Sequence, residues 1–328
     1  MSEPTTLLQR AARAARLAGA GTGIEDVRPL TGGHSGVTLA ADLIGGDGTR
    51  VPIAIKAAPP GRAGVGRHDV LRQATLFRAL EAFAGVRVPH VHFSDAEDPP
   101  FFAMDLLRGE AREPVLEPQG ALAPDLVRAR AMASAGMLAA LHAGDPSSVG
   151  LGPGSSIGEE VDRWASVMAA VDPELVPGHE RLLAALRATV PQQVGESVVH
   201  GDYRLGNIIC DGSEITAVID WEIWCVSDPR LDLGWYLVHF DPSEYPGIAP
   251  ETVPGLPSRD EVLKQYEAAS GNPVADEPWF DAFGRYKLAA IMGHNLRRHR
   301  EGRHEDPFQE RLPATISLQV RRGLDVLG

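Results

Sequence analysis

Three oxygen-bearing side chains, Asp202, Asn207 and Asp220, stand in polar turns flanked by short apolar runs. The run Ser197 to His200 leads into Gly201-Asp202-Tyr203-Arg204-Leu205-Gly206-Asn207. The run Asn207 to Cys210 leaves that loop, and Ile215 to Ile219 ends at Asp220-Trp221-Glu222. An Asp and an Asn five apart on a loop between strands, with a second Asp thirteen residues further on, can gather three oxygen ligands or acceptors at one point. Mg²⁺ suits such a set: it takes few carboxylates and completes its shell with water and phosphate oxygens. A loop with capping acids is the plainer reading of the same residues.

The rest of the chain predicts an α+β protein in two parts. Glu25 to Leu30, Ala40 to Ile44, Val51 to Ala57, Val86 to Phe93 and Phe101 to Leu107 read as strands, with one helix from His68 to Phe83 carrying Val70, Leu71, Ala74, Phe77 and Leu80 on one face. From Arg108 onward the pattern turns helical: Pro124 to Ala143, Arg230 to Phe240, a capping box at Ser258-Arg259-Asp260-Glu261 opening a helix to about Ser270, and Glu277 to about Arg300. Pro242 to Pro257, with five prolines and two glycines, predicts a flexible insertion. The expected division is therefore 1–107, a sheet lobe with one main helix, and 108–328, a larger and mostly helical lobe.

Charge follows the same division. The chain of 328 residues carries a net charge of −13, all of it in 108–328, since 1–107 holds 11 basic and 11 acidic side chains. This balance argues against nonspecific nucleic-acid or membrane-surface binding. An acidic second lobe favours metal ions or cationic substrates, or serves solubility. Two cysteines exclude a disulfide framework and a cysteine-based zinc site. No apolar run is long enough to span a membrane, and Thr5 to Ala18 reads as a surface helix rather than a transit peptide, so a cytoplasmic location is expected. Only three lysines accompany 28 arginines: Lys56, Lys264 and Lys287. A lysine in so Arg-biased a chain points to a place that needs a compact ammonium.

The layout of His200-Gly201-Asp202 through Asn207, followed by Asp220-Trp221-Glu222, resembles the protein-kinase catalytic loop and its metal-binding Asp, in the version found in the aminoglycoside phosphotransferase and choline kinase family. The resemblance runs from the Gly33 turn to the helix near Tyr286, and it implies a bilobal protein-kinase-like fold. It implies that Asp202 orients a substrate hydroxyl and accepts its proton, that Asn207 and Asp220 hold Mg²⁺ on the phosphates of ATP or GTP, and that His200 braces the loop. Lys56 corresponds to the lysine that contacts the α- and β-phosphates. The turn containing Gly33, Ser35 and Gly36 resembles the phosphate-covering loop. Phe101 to Leu107 resembles the hinge, with backbone groups of Asp105 and Leu107 meeting adenine. Asp232, in Asp228-Pro229-Arg230-Leu231-Asp232, is expected to hydrogen-bond backbone near the catalytic loop. Arg204 and Glu222 are supporting positions, and Glu222 contacts either substrate or metal, or serves as scaffold.

One position departs from the family. The helix after Lys56 is expected to offer a Glu, and Gln73 stands there, which can hydrogen-bond the ammonium but brings no charge; either Lys56 is less firmly fixed or another acid such as Asp69 serves. The implied function is Mg-dependent phosphoryl transfer from ATP to a hydroxyl of a small molecule. Pro59-Pro60-Gly61, Gly255 to Arg259 and Tyr266 to Gly271 resemble a branch that includes kinase-like domains preceding some acyl-CoA dehydrogenases, which suggests a hydroxyacyl-type acceptor beside the aminoglycoside-like one. Two other readings stand: a nucleotide-binding pseudokinase, supported by Gln73, and a metal-dependent hydrolase using His200, Asp202, Asp220 and His239. The basic run from His294 to His304 reads as a solvated helix end or as an anion site.

Overall fold

A computed structural model describes residues 3–30, 37–59, 69–117, 122–150 and 154–328. Two compact units divide the chain. One comprises Met1–Glu110, Ser147–Val149 and Ile209–Ile223; the other comprises Ala111–Pro146, Gly150–Ile208 and Trp224–Gly328. Among the described residues no helix is long and apolar enough to cross a membrane.

In the first unit, α1 (Glu3–Leu17) precedes β1 (Gly23–Pro29), β2 (Val37–Ile44) and β3 (Arg50–Ala57); then come α2 (Val70–Leu80), β4 (Val91–Asp95) and β5 (Phe101–Asp105). The strands form one antiparallel sheet in the order β1-β2-β3-β5-β4. The Gly45-Gly46-Asp47-Gly48 turn closes the β2–β3 hairpin, and its register places Lys56 opposite Thr38 on one side and Phe102 on the other. Leu7, Ala11, Ala14 and Ala15 recur on one stripe of α1 and join Leu43, Ile53, Ile55, Phe93, Phe101 and Ala103 in a single core. Each such Leu, Ile or Phe contributes roughly 1.5–3 kcal/mol by burial. On its polar side Arg10 bonds Asp95 at 3.1 Å and the Glu97 carbonyl at 2.7 Å. The expected surface helix is thus half core. β4 begins later than expected, at Val91, because Pro89 has no N–H to give a ladder.

The second unit holds α3 (Pro124–Ala143), α4 (Ile157–Met168), α5 (His179–Ala188), β6 (Ser197–Val199), β9 (Cys225–Ser227), α6 (Arg230–Leu237), α7 (Arg259–Ser270), α8 (Glu277–Arg300) and α9 (Pro313–Leu327). The β7 (Ile208–Asp211) and β8 (Glu214–Val218) pair belongs almost entirely to the first unit, so the chain returns there before Asp220. Helix α8 is buried nearly all round from Trp279 to Ala290, the pattern of a central helix. Gly234 and Gly284 let α6 and α8 touch backbone to backbone: a Cβ on Gly234 would lie 2.3 Å from the Phe280 carbonyl oxygen. The capping box at Ser258 and Glu261 is complete. The Pro242–Pro257 stretch is not the loose insertion its prolines suggest. Tyr245 and Ile248 are buried, and Gln319 on α9 donates to the Glu244 carbonyl at 2.9 Å.

Candidate active site

Strand alternation on β3 sends Lys56 to the face covered by α2. Its Nζ donates to Glu222 Oε1 at 2.8 Å and to Gln73 Oε1 at 3.2 Å. Both members of the Lys56–Glu222 pair are largely covered, at 15% and 17% side-chain exposure, so solvent screens the attraction less than at an open surface. The acid that α2 lacks therefore comes from the Asp220-Trp221-Glu222 turn. Asp69, the alternative, is the N-cap of α2 and accepts the Leu71 amide at 2.8 Å.

Trp221 is fully buried and pins this turn. Its Nε1–H donates to the Val218 carbonyl at 2.9 Å, and its ring meets Phe77 edge-on at 6.5 Å. Phe77 lies one turn beyond Gln73 on α2 and meets Phe102, the strand neighbour of Lys56, edge-on at 5.9 Å. Lysine, glutamine and glutamate are thus braced by one aromatic chain. Asp220 adopts a left-handed backbone, φ 63°, which Asp and Asn tolerate better than other non-glycine residues.

At the end of β5 the Asp105 amide donates to the His90 carbonyl at 3.0 Å, and its carboxylate meets His92 Nε2 at 2.7 Å and the His90 amide at 3.2 Å. The His92 hydrogen bond, outweighing burial, holds the Asp105 carboxyl below the usual range. The Leu106 amide goes to the Pro52 carbonyl. The Leu107 amide has no backbone partner among the described residues. Of the expected adenine contacts, the Asp105 amide is therefore already spent. Gly33, Ser35 and Gly36 lie outside the described residues.

In the second unit the His200–Asn207 loop is held by hydrogen bonds from several elements. Asp232, in the first turn of α6, accepts the His200 amide at 2.5 Å and the Gly201 amide at 2.8 Å, one on each oxygen. Burial would raise its pKa, but the His142 ring and the positive charges around it prevail, and the carboxyl lies below its ordinary value. His142, on α3, stands 3.5 Å from Asp232 and bonds the Tyr266 hydroxyl at 2.8 Å. Gly201 has φ 85°, a conformation that favours glycine. His200 is fully buried, and its Nδ1 accepts the Asp202 amide at 3.0 Å. Asn207 Nδ2 donates to both the Asp202 carbonyl and Asp202 Oδ2 at 2.8 Å. With both amide hydrogens directed at Asp202, the Asn207 Oδ1 is the end left to act as an oxygen ligand. Arg204 Nε lies 3.5 Å from Asp202 and its Nη1 3.6 Å from Glu113, contacts of charge rather than hydrogen bonds.

Sequence reasoning missed Glu113, His142 and the pairing of Glu222. Glu113 is buried on the segment after β5. Its Oε2 accepts the Gly206 amide at 3.2 Å, and its Oε1 has no hydrogen-bond partner among the described residues. Burial, only partly opposed by Arg204 and the Gly206 amide, pushes this carboxyl up to about 7. The folded state then holds a proton that the unfolded state releases near pH 4.5. Stability is therefore lost as pH rises from about 4.5 to 7, by up to about 3 kcal/mol. The variant Glu113→Gln is expected to match wild type in melting temperature at pH 5 and to exceed it by about 5 °C at pH 8, checked by thermal melts across that range. An equal offset at both pH values would refute the assignment. His239, also buried, bonds the Trp235 carbonyl through Nδ1 at 3.0 Å, and burial pulls its pKa down to about 4.

The sheet unit with its paired lysine and the helical unit with its braced His-Gly-Asp loop make up a protein-kinase-like fold. Residues 26–283 match the phosphotransferase enzyme family, and the chain belongs to that family. It is 29% identical over 258 residues to acyl-CoA dehydrogenase family member 10 of Mus musculus, a match covering 73% of this chain and 24% of the mouse protein. The chain spans between 24% and 35% of the length of the curated relatives it matches along most of its sequence. Among solved structures it resembles a candidate aminoglycoside phosphotransferase from Ralstonia eutropha, with TM-score 0.73, 23% identity and 92% of each chain covered. It also resembles an aminoglycoside phosphotransferase in complex with AMP-PNP and hygromycin B, with TM-score 0.59 and 16% identity over 94% of this chain and 98% of that one. A structure with GDP and kanamycin is similar at TM-score 0.61 and 14% identity, with 97% of each chain covered.

Proposed function

We propose that this chain moves the γ-phosphoryl group of ATP or GTP to a hydroxyl of a small molecule. Family membership supports phosphoryl transfer, and the nucleotide-bound structures of the same fold support a nucleoside triphosphate as donor. The observation that carries the reading is the fixed Asp202. Its amide is held by His200 and its carboxylate by Asn207, while the carboxylate keeps 22% exposure for a substrate to reach.

The acceptor hydroxyl donates its hydrogen bond to Asp202. The oxygen–phosphorus bond forms as the bond from the γ-phosphorus to the β–γ bridging oxygen breaks, and Asp202 takes the hydroxyl proton late. Such a loose transition state needs little basicity but accurate placement and countercharge. Lys56, steadied by Glu222 and Gln73, supplies positive charge to the phosphates. Asn207 and Asp220 would hold Mg²⁺, which supplies charge neutralisation when bound; two protein oxygens suit an ion that takes its other ligands from phosphate and water. The pseudokinase reading rested on Gln73, and Glu222 supplies the charge that Gln73 lacks.

The kinship with acyl-CoA dehydrogenase family proteins favours a hydroxyacyl-type acceptor over an aminoglycoside. The test is ADP release from Mg-ATP, or GDP release from Mg-GTP, in the presence of a panel of hydroxy acids, their thioesters and aminoglycosides, with products weighed by mass spectrometry. At least one hydroxylated compound is expected to raise turnover about tenfold or more and to gain one phosphoryl group. Nucleotide binding with no phosphorylated product anywhere in the panel would favour the pseudokinase.

A further inference from the structure

Lys287, on α8, is buried to 4% exposure, and its Nζ lies 4.4 Å from the Trp235 ring centroid and 5.0 Å from that of Trp164. An ammonium in such a place is costly unless it is hydrogen-bonded and countercharged, and a neutral side chain would fill the space without that cost. Its hydrogen bond goes to the carbonyl of Gly201. The charged and titratable groups around it are Asp232 on α6, Asp202 on the loop, Glu160 on α4 and Cys225 on β9.

The Gly201 carbonyl and the Asp202 amide belong to the same peptide group. Lys287 holds that group by its oxygen, and His200 Nδ1 holds it by its N–H. Gly201 has no side chain of its own and a left-handed φ, so local sterics do little to fix the plane. The tilt of this peptide sets the direction in which Asp202 leaves the backbone. We infer that Lys287 is a positioning residue for phosphoryl transfer, its ammonium fixing the Gly201–Asp202 peptide and through it the Asp202 carboxylate. This rests on Asp202 being the proton acceptor proposed above.

Packing and positioning predict opposite orders. If Lys287 only fills space, Lys287→Met keeps full turnover and Lys287→Arg, being larger, is the poorer enzyme. If it positions Asp202, Lys287→Met folds and binds nucleotide but loses about 100-fold in kcat, with KM for Mg-ATP within about threefold of wild type. Lys287→Arg, which keeps charge and donors and can stack on the indoles, then retains more activity than Lys287→Met. The readouts are ADP formation from Mg-ATP with water as acceptor, fluorescent-nucleotide titration and thermal melts; should Lys287→Met fail to fold, Lys287→Gln takes its place in the same ranking. Asp202→Asn is run alongside. Wild-type turnover in Asp202→Asn would overturn the role of Asp202 itself. An inactive Asp202→Asn beside a fully active Lys287→Met would overturn the role of Lys287 alone.

Discussion

In the Asp202→Asn variant, turnover with a competent acceptor falls about 10³-fold while affinity for Mg-nucleotide stays within about threefold of wild type. The substitution is nearly isosteric. An Asn at this position still offers an oxygen to Asn207 Nδ2 and still gives its amide to His200, so the loop keeps its two anchors. What disappears is the negative charge that orients the acceptor hydroxyl and takes its proton. Single-turnover rates paired with equilibrium titration of nucleotide separate these effects. A fall in nucleotide affinity as large as the fall in rate would mean that the residue binds the donor, and the proposed assignment would be wrong.

The second large effect is expected at Glu222. Replacing it by Gln leaves Lys56 facing two neutral amides, one from Gln73 and one from the new side chain. Loss of one partner from a largely covered ion pair is expected to lower kcat/KM for Mg-ATP about 30-fold, or ~2 kcal/mol. Moving the carboxylate to the helix, in the double variant Gln73→Glu/Glu222→Gln, is expected to restore activity to within about fivefold of wild type, because Lys56 Nζ already bonds both positions. Steady-state kinetics on the three proteins decides it. A double variant no better than Glu222→Gln would mean that Glu222 acts on something other than Lys56.

Much of this was legible in the residues, for physical reasons. Helical periodicity located α3 and the capping box at Ser258 and Glu261 located α7, since a helix with proline or a capping box at its start announces itself. The His-Gly-Asp loop and the lysine strand were legible because glycine, histidine and acids at fixed spacing have few structural uses together. The partner of Lys56 was not. Gln73 and Glu222 stand 149 residues apart in the sequence, and only folding makes them neighbours of one ammonium. Glu113 gave no signal either, since an acid reads as surface until its burial is known. The Pro242–Pro257 stretch misled because proline content reports backbone stiffness, whereas its placement is decided by the buried Tyr245 and Ile248.

The return of Ile209–Ile223 to the unit built by the first 110 residues bears on how this protein can be dissected. A fragment cut after Glu110 would carry the lysine strand without the indole that braces its neighbourhood or the glutamate that neutralises it. Such a fragment would present an uncompensated ammonium and an open apolar seam beside Phe77. Co-expression with a peptide spanning the missing hairpin and its Asp-Trp-Glu turn should then rescue its solubility, as a split protein regains its lost strand pair.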